Sequence, residues 1–111
     1  MQEKMKITPR CPIRTTLEML GGKWKLLIIF QIGERAVRFG ELKRLLPDIS
    51  EKMLVQELKS LVDSNLVIRH SYGEVPPRVD YRLTEKGKMA LPLIEHLKDF
   101  GQGYIDNQAK E

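Results

Sequence analysis

The spacing of apolar side chains changes from helical to strand-like and back again along this chain, and those changes mark its elements. Ile7 to Arg10 reads as extended. Cys11-Pro12 then opens a first helix in which Ile13, Leu17 and Leu20 share a face, with Met19 beside them. Proline is tolerated there because an N–H in the first turn has no helical partner anyway. Gly21-Gly22 ends the helix, since glycine accepts the left-handed conformation of a C-terminal cap. Lys23 to Ile32, with Trp24, Leu27, Ile28 and Phe30, predicts a second, strongly apolar helix. It is read as a central core element in which Trp24 contributes the most buried area. Gly33-Glu34 turns the chain, and Ala36-Val37-Arg38 suits a short strand.

From Phe39 the pattern becomes two helices joined by a tight break. Phe39, Leu42, Leu45 and Leu46 recur at helical spacing, which leaves Glu41, Lys43 and Arg44 in water. Pro47 stops this helix, because it lacks a donor and disfavours the helical conformation in the residue before it. After Pro47-Asp48-Ile49, Ser50 is a good N-cap for a second helix extending toward Leu66. Leu54, Leu58, Leu61 and Val62 form its apolar stripe; Glu51, Lys52, Val55, Gln56, Lys59 and Asp63 lie opposite. Alone, the pair fits a helix-turn-helix and an ordinary αα-hairpin equally well.

The following residues separate the two readings. Val67 to Tyr72 is strand-like, and Val79 to Leu83 alternates with Val79, Tyr81 and Leu83 on one face. Gly73-Glu74-Val75-Pro76-Pro77 cannot continue a ladder and is a loop. A β-hairpin directly after a helix-turn-helix is a wing. Thr84-Glu85-Lys86-Gly87 then begins a last helix running to about residue 108, with a kink expected between Lys88 and Leu93 because of Pro92. Leu93, Ile94, Leu97, Phe100, Gly101, Tyr104 and Ile105 line one side of it. That stripe needs cover, from a second copy or from the chain's own first helix; paired winged helices reading two half-sites favour the second copy.

A chain of 111 residues suits one domain. Its 41% hydrophobic and 31% charged content is that of a folded globular protein rather than a disordered one. No apolar run reaches the roughly 20 residues that span a bilayer, and no secretory leader is visible. A lone cysteine, Cys11, excludes an intramolecular disulfide and suits a reducing cytoplasm. Positive charge is unevenly placed. Lys4, Lys6, Arg10, Arg14, Lys23 and Lys25 outnumber Glu3 and Glu18 before the helix pair. Arg69, Arg78, Arg82, Lys86 and Lys88 outnumber Glu74, Asp80 and Glu85 after it, while the C-terminal segment is acidic. A polyanion would meet the front of such a molecule and not its tail.

Cys11-Pro12, Leu20-Gly21-Gly22-Lys23-Trp24, Arg38-Phe39-Gly40-Glu41-Leu42, Ile49-Ser50-Glu51-Lys52-Met53-Leu54, Glu74-Val75-Pro76-Pro77-Arg78-Val79-Asp80-Tyr81 and Leu83-Thr84-Glu85-Lys86-Gly87 occur in that order. Together they closely resemble the HxlR family of bacterial transcriptional regulators, over roughly residues 11–101. The resemblance implies a homodimer built from the first and last helices, palindromic operator DNA, and in some members a response to electrophiles or oxidants through a cysteine matched here by Cys11. The fold expected is mainly α with a small β-hairpin (α+β): a winged helix-turn-helix with a long C-terminal dimerisation helix. One domain covers 1–111, with the helix-turn-helix at about 39–64, the wing at about 67–83, and dimerisation helices at about 11–20 and 85–108.

On this reading the helix from Ser50 enters the major groove. Gln56 can make a bidentate contact to adenine, Lys52 can reach guanine or phosphate, and Glu51 can accept from cytosine or reject wrong sites. Val55 shares their face. Ser50 and Lys59 suit phosphates, which orient without specifying. Arg78, with His70 or Tyr72, would lie over the minor groove or backbone. Arg38 and Lys23 sit at helix N-termini, which favour phosphate. Leu17, Ile94, Leu97, Phe100, Gly101, Tyr104 and Ile105 are the expected dimer contacts. Cys11, near a helix start and between Arg10 and Arg14, has the setting of a reactive thiolate; the alternative is a small buried residue. The expected function is a homodimeric repressor of an inverted-repeat operator, with a small-molecule or oxidant effector in view. The alternative is a winged-helix module for protein interaction or RNA.

Enzyme classes find little here. His70 and His96 lie on different elements without a cluster at metal-ligand spacing, so no metal or cofactor is expected. Gly21-Gly22-Lys23 lacks the leading glycine and the following Ser or Thr of a phosphate loop. Cys11 with distant His96 makes a thin thiol-enzyme case.

Overall fold

Helix α1 spans Pro12–Leu20, and the side chain of Cys11 caps it by accepting from the Arg14 N–H at 3.4 Å. The structure, a computed structural model, describes residues 8–109. Ile7, Glu3, Lys4 and Lys6 therefore lie outside the described residues. Instead of an extended run, Thr8 to Cys11 makes a turn closed by the Cys11 N–H donating to the Thr8 carbonyl at 3.1 Å, with Pro9 at the second position, where its fixed φ is already correct. At the other end of α1, Gly21 is extended and Gly22 takes the positive φ of +92°.

Helix α2, Lys25–Ile32, is the centre of the core: Ile28, Ile29 and Ile32 have no exposed surface. The helix is the central core element expected, but it starts later than expected: Trp24 is its N-cap, partly buried and packed against the core, and Leu27 and Phe30 are 44% and 43% exposed. A helix apolar all round carries no polar face to show which side turns inward, and the fold turns the isoleucine side in.

Strand β1 (Val37–Arg38) leads into α3 (Phe39–Leu45), and α4 follows over Glu51–Asp63. The Ser50 hydroxyl accepts from the Met53 N–H at 3.0 Å, as expected of an N-cap. The helix stops short of Leu66. Asn65 adopts φ +61°, and the Leu66 N–H reaches back to the Leu61 carbonyl at 2.9 Å, a Schellman-type close with asparagine at the left-handed position. Leu54, Leu58 and Leu61 are buried, so the inward face of α4 is the predicted one; Leu45 of α3, by contrast, is 38% exposed.

The wing is larger than a hairpin. Strands β2 (Val67–Ser71) and β3 (Val79–Leu83) pair antiparallel, and β1 adds to the free edge of β3, giving the order β1-β3-β2. The last helix is interrupted within the expected Lys88–Leu93 stretch: α5 (Glu85–Lys88) and α6 (Ala90–Ala109) are separated at Met89. The break puts Pro92 in the first turn of α6, where no donor is missed. Helix α6 packs against α2, not folded along α1, and its distal half leaves Phe100, Tyr104 and Ile105 exposed. The molecule measures 59 × 39 × 24 Å. No helix among the described residues is long and apolar enough to cross a membrane.

Candidate nucleic-acid interface

The outer stripe of α4 is set by its inner one. With Leu54, Leu58 and Leu61 in the core, helical geometry must turn Lys52, Val55, Gln56 and Lys59 outward, and all four are exposed, as are Ser50 and Glu51. Val55 is an apolar side chain 53% exposed in the middle of this polar stripe. Such a group suits a thymine methyl in a groove better than bulk water. Neither Lys52 nor Lys59 is ion-paired among the described residues, whereas Lys25 of α2 is held by Glu57 at 3.0 Å on the flank of α4. The stripe thus offers two free ammonium groups, an amide, a carboxylate and a methyl surface along one helix face. Ser50 is less available, because its hydroxyl is engaged as the cap.

The wing sorts its side chains by register. Residues directly opposite in an antiparallel ladder share a face. Arg69 is opposite Tyr81, and His70 is opposite Asp80, which also pairs with Arg38 of β1. Tyr81, Val79, Val67 and Leu83 face the core, so His70, Asp80, Arg82 and Arg38 belong to the other side of the sheet. There, Asp80 is the one buried charged residue among those described, only 4% exposed. Its Oδ2 accepts from the Tyr72 hydroxyl at 2.6 Å, and Arg82 approaches its Oδ1 at 3.9 Å. The Arg78 guanidinium stacks over the Tyr72 ring at 4.1 Å and lies 3.8 Å from Glu74, while the His70 ring meets Tyr72 edge-on at 4.3 Å. His70, Tyr72 and Arg78 therefore form one stacked group anchored by a buried carboxylate.

Sequence reasoning missed Asp80, because strict alternation in β3 marks it for water. The clue available was the run Arg78, Asp80, Arg82, a carboxylate between two cations on one strand face.

Other predicted residues sit elsewhere. Arg38 is exposed at the N-cap of α3. Lys23 lies over the Trp24 ring at 4.7 Å and borders a groove of about 400 Å³ with Leu27, Phe30, Ile94, Leu97 and Lys98. Leu97, Phe100, Tyr104 and Ile105 are 46–80% exposed, Leu17 is 61% exposed, and Gly101 is half-buried; Ile94 is buried within its own chain against α2. Ile13, Leu27 and Phe30 extend the same kind of surface on α1 and α2. Cys11 is 4% exposed and lies apart from the main apolar core. Among the described residues no cluster of His, Cys, Asp or Glu could hold a metal ion.

Comparison with known proteins gives consistent matches. The HxlR-like helix-turn-helix family matches residues 19–109. The HTH-type transcriptional regulator YdeP of Bacillus subtilis is 41% identical over 96 residues, covering 86% of this chain and 75% of YdeP. A solved Porphyromonas gingivalis W83 protein, described as a transcriptional regulator of the MarR family, superposes with a TM-score of 0.86 at 48% identity, over 89% of this chain and 97% of that one. The redox regulator HypR in its reduced form superposes with a TM-score of 0.83 at 34% identity, over 91% and 100% of the two chains.

Proposed function

This chain belongs to the HxlR-like helix-turn-helix family of transcriptional regulators, a family of DNA-binding proteins rather than enzymes, and from that premise we propose that it is a homodimeric repressor of an inverted-repeat operator. The observation that carries the proposal is the exposed stripe of α4, whose cations have no acidic partner among the described residues. Lys52 and Gln56 read base edges, with Val55 against a thymine methyl and Glu51 as acceptor or excluder. Lys59, Arg38 and Arg78 contact phosphates, with His70 and Tyr72 holding Arg78 in place. Two copies join through α1 and α6, which accounts for the exposed Leu17, Leu97, Phe100, Tyr104 and Ile105 and places Gly101 along the seam, with Ile94 beneath it in the chain's own core.

Cys11 is proposed as the sensor. HypR, a relative of similar fold, is described as a redox regulator, and Cys11 caps a helix of the proposed seam. An oxidant that takes two electrons and two protons from a pair of Cys11 thiols would join them as a disulfide and remove both caps from their place.

Titrating the protein against the DNA preceding its own gene and against a random duplex tests the central reading. Lys52→Ala and Gln56→Ala should each cost about 1–3 kcal/mol on the preferred duplex and little on the random one, as expected for base contacts. Equal losses on both duplexes, or none on either, would remove α4 as the reading helix.

A further inference from the structure

Between α4 and the wing lies a second cleft, of about 250 Å³, bordered by Val55, Leu58, Lys59, Val62, Arg69 and Tyr81. Its floor is apolar and its two charged side chains are both cations. Arg69 reaches it because the register places Arg69 opposite Tyr81, on the side of the sheet that faces α4. The three arginines of the wing strands and loop are not equivalent. Arg78 is stacked on Tyr72 beside Glu74, and Arg82 is turned to the other face beside Asp80. Arg69 is exposed and, alone of the three, has no acidic partner among the described residues.

We infer that this cleft seats the sugar-phosphate backbone of one DNA strand, with Arg69 as the wing's principal phosphate contact and Lys59 closing on the strand from α4. The apolar floor takes the deoxyribose, which has no charge to solvate, and the two cations take flanking phosphates. A guanidinium is suited to this because its planar fork can engage two phosphate oxygens together. The contact would fix how far α4 enters the groove without reading a base. The inference rests on the DNA-binding reading above and adds to it a residue and a seat.

The test is a set of fluorescence-anisotropy titrations of wild type, Arg69→Ala, Arg69→Lys and Arg82→Ala on labelled preferred and random duplexes at several salt concentrations. Loss of one phosphate contact lowers the slope of log affinity against log salt by about 0.9, and costs roughly tenfold in affinity per protomer near 0.1 M salt. Arg69→Ala should show this on both duplexes, leaving their affinity ratio unchanged. Arg69→Lys should recover most of the slope but less of the affinity, and Arg82→Ala should resemble wild type. Wild-type binding with an unchanged slope in Arg69→Ala overturns the seat while leaving the regulator reading intact. An equal loss in Arg82→Ala also overturns it, since the effect would then be net charge alone. A wild type that binds neither duplex overturns both readings. Thermal melts within a degree or two of wild type confirm that the variants are folded.

Discussion

Cys11 shows how a single atom can join chemistry to architecture. Its sulfur accepts from the Arg14 N–H, and its side chain is buried although it stands at the start of a helix exposed from Pro12 to Glu18. Leu17 and Ile13, one turn apart on that helix, remain more than half exposed. Any adduct on the sulfur must leave the cap and take space that the fold does not provide. The first turn of α1 is then the part that yields, since its backbone donors lose their acceptor. Treatment with diamide or a quinone should therefore weaken DNA binding by wild type at least severalfold. Cys11→Ser retains a capping oxygen, so it should bind DNA normally and resist the reagent. An equal response in the two proteins would take Cys11 out of the signal. The same residue shows a limit of reading residues singly: its sequence setting allowed both a reactive thiolate and a small buried residue, and the folded chain encloses the thiol.

At the scale of elements, the end of α4 and the start of α5 are held together by a close, hydrogen-bonded joint. The Thr84 N–H and hydroxyl donate to the carbonyls of Leu66 and Asn65 at 3.0 and 2.8 Å, and the same hydroxyl accepts from the Gly87 N–H at 2.9 Å. Gly87 is buried so closely against the Leu66 carbonyl that an added Cβ would overlap it. Gly87→Ala must push α5 away from the end of α4, and overpacking of this kind costs about 1–3 kcal/mol. A denaturant titration should show that loss at an unchanged m-value; a variant as stable as wild type would mean that the joint has slack. The elements themselves were largely legible in the sequence. Pro47, Ser50 and the leucines of α4 act locally, within a turn or two, so their spacing was enough to place the helix-turn-helix. The strands were legible for the same reason. What depends on distant partners was not. The pairing of β1 with β3, the burial of Asp80 and the side of β2 that meets α4 are set by how the sheet is laid on the helices. Arg69 and His70 are adjacent in the chain, and only register separates the one beside α4 from the one behind it. Within α2, apolar residues on every side left Ile29 indistinguishable from Leu27 and Phe30.

At the scale of the whole molecule, the exposed apolar residues of α1, α2 and α6 are too many to be a solvated surface by design. Large contiguous apolar patches are uncommon on proteins that act alone. Among the described residues the distal half of α6 is left largely uncovered, with Phe100 80% exposed and Tyr104 and Ile105 60% and 59% exposed. A two-fold dimer would bury each such residue twice, once from each copy. Burying one phenylalanine side chain contributes about 1.5–3 kcal/mol, so the pair contributes roughly 3–6 kcal/mol, or about two to four orders of magnitude in the dimer dissociation constant. A carboxylate in its place would also have to be desolvated at the seam. Sedimentation of wild type should give twice the 12.9 kDa of the chain, and Phe100→Glu should give a single chain at the same concentration. Because Phe100 contributes almost nothing to its own core, the thermal melt of dilute Phe100→Glu should match that of an equally dilute, dissociated wild type. Val75, at 98% exposure on the wing, provides the comparison: Val75→Glu removes an even more exposed apolar group, outside the proposed seam, and should leave the mass doubled. Affinity for a duplex carrying two half-sites should fall in Phe100→Glu and approach that for a single half-site, which wild type should exceed. A Phe100→Glu protein that still sediments as a dimer would move the seam off α6, whatever the DNA affinity.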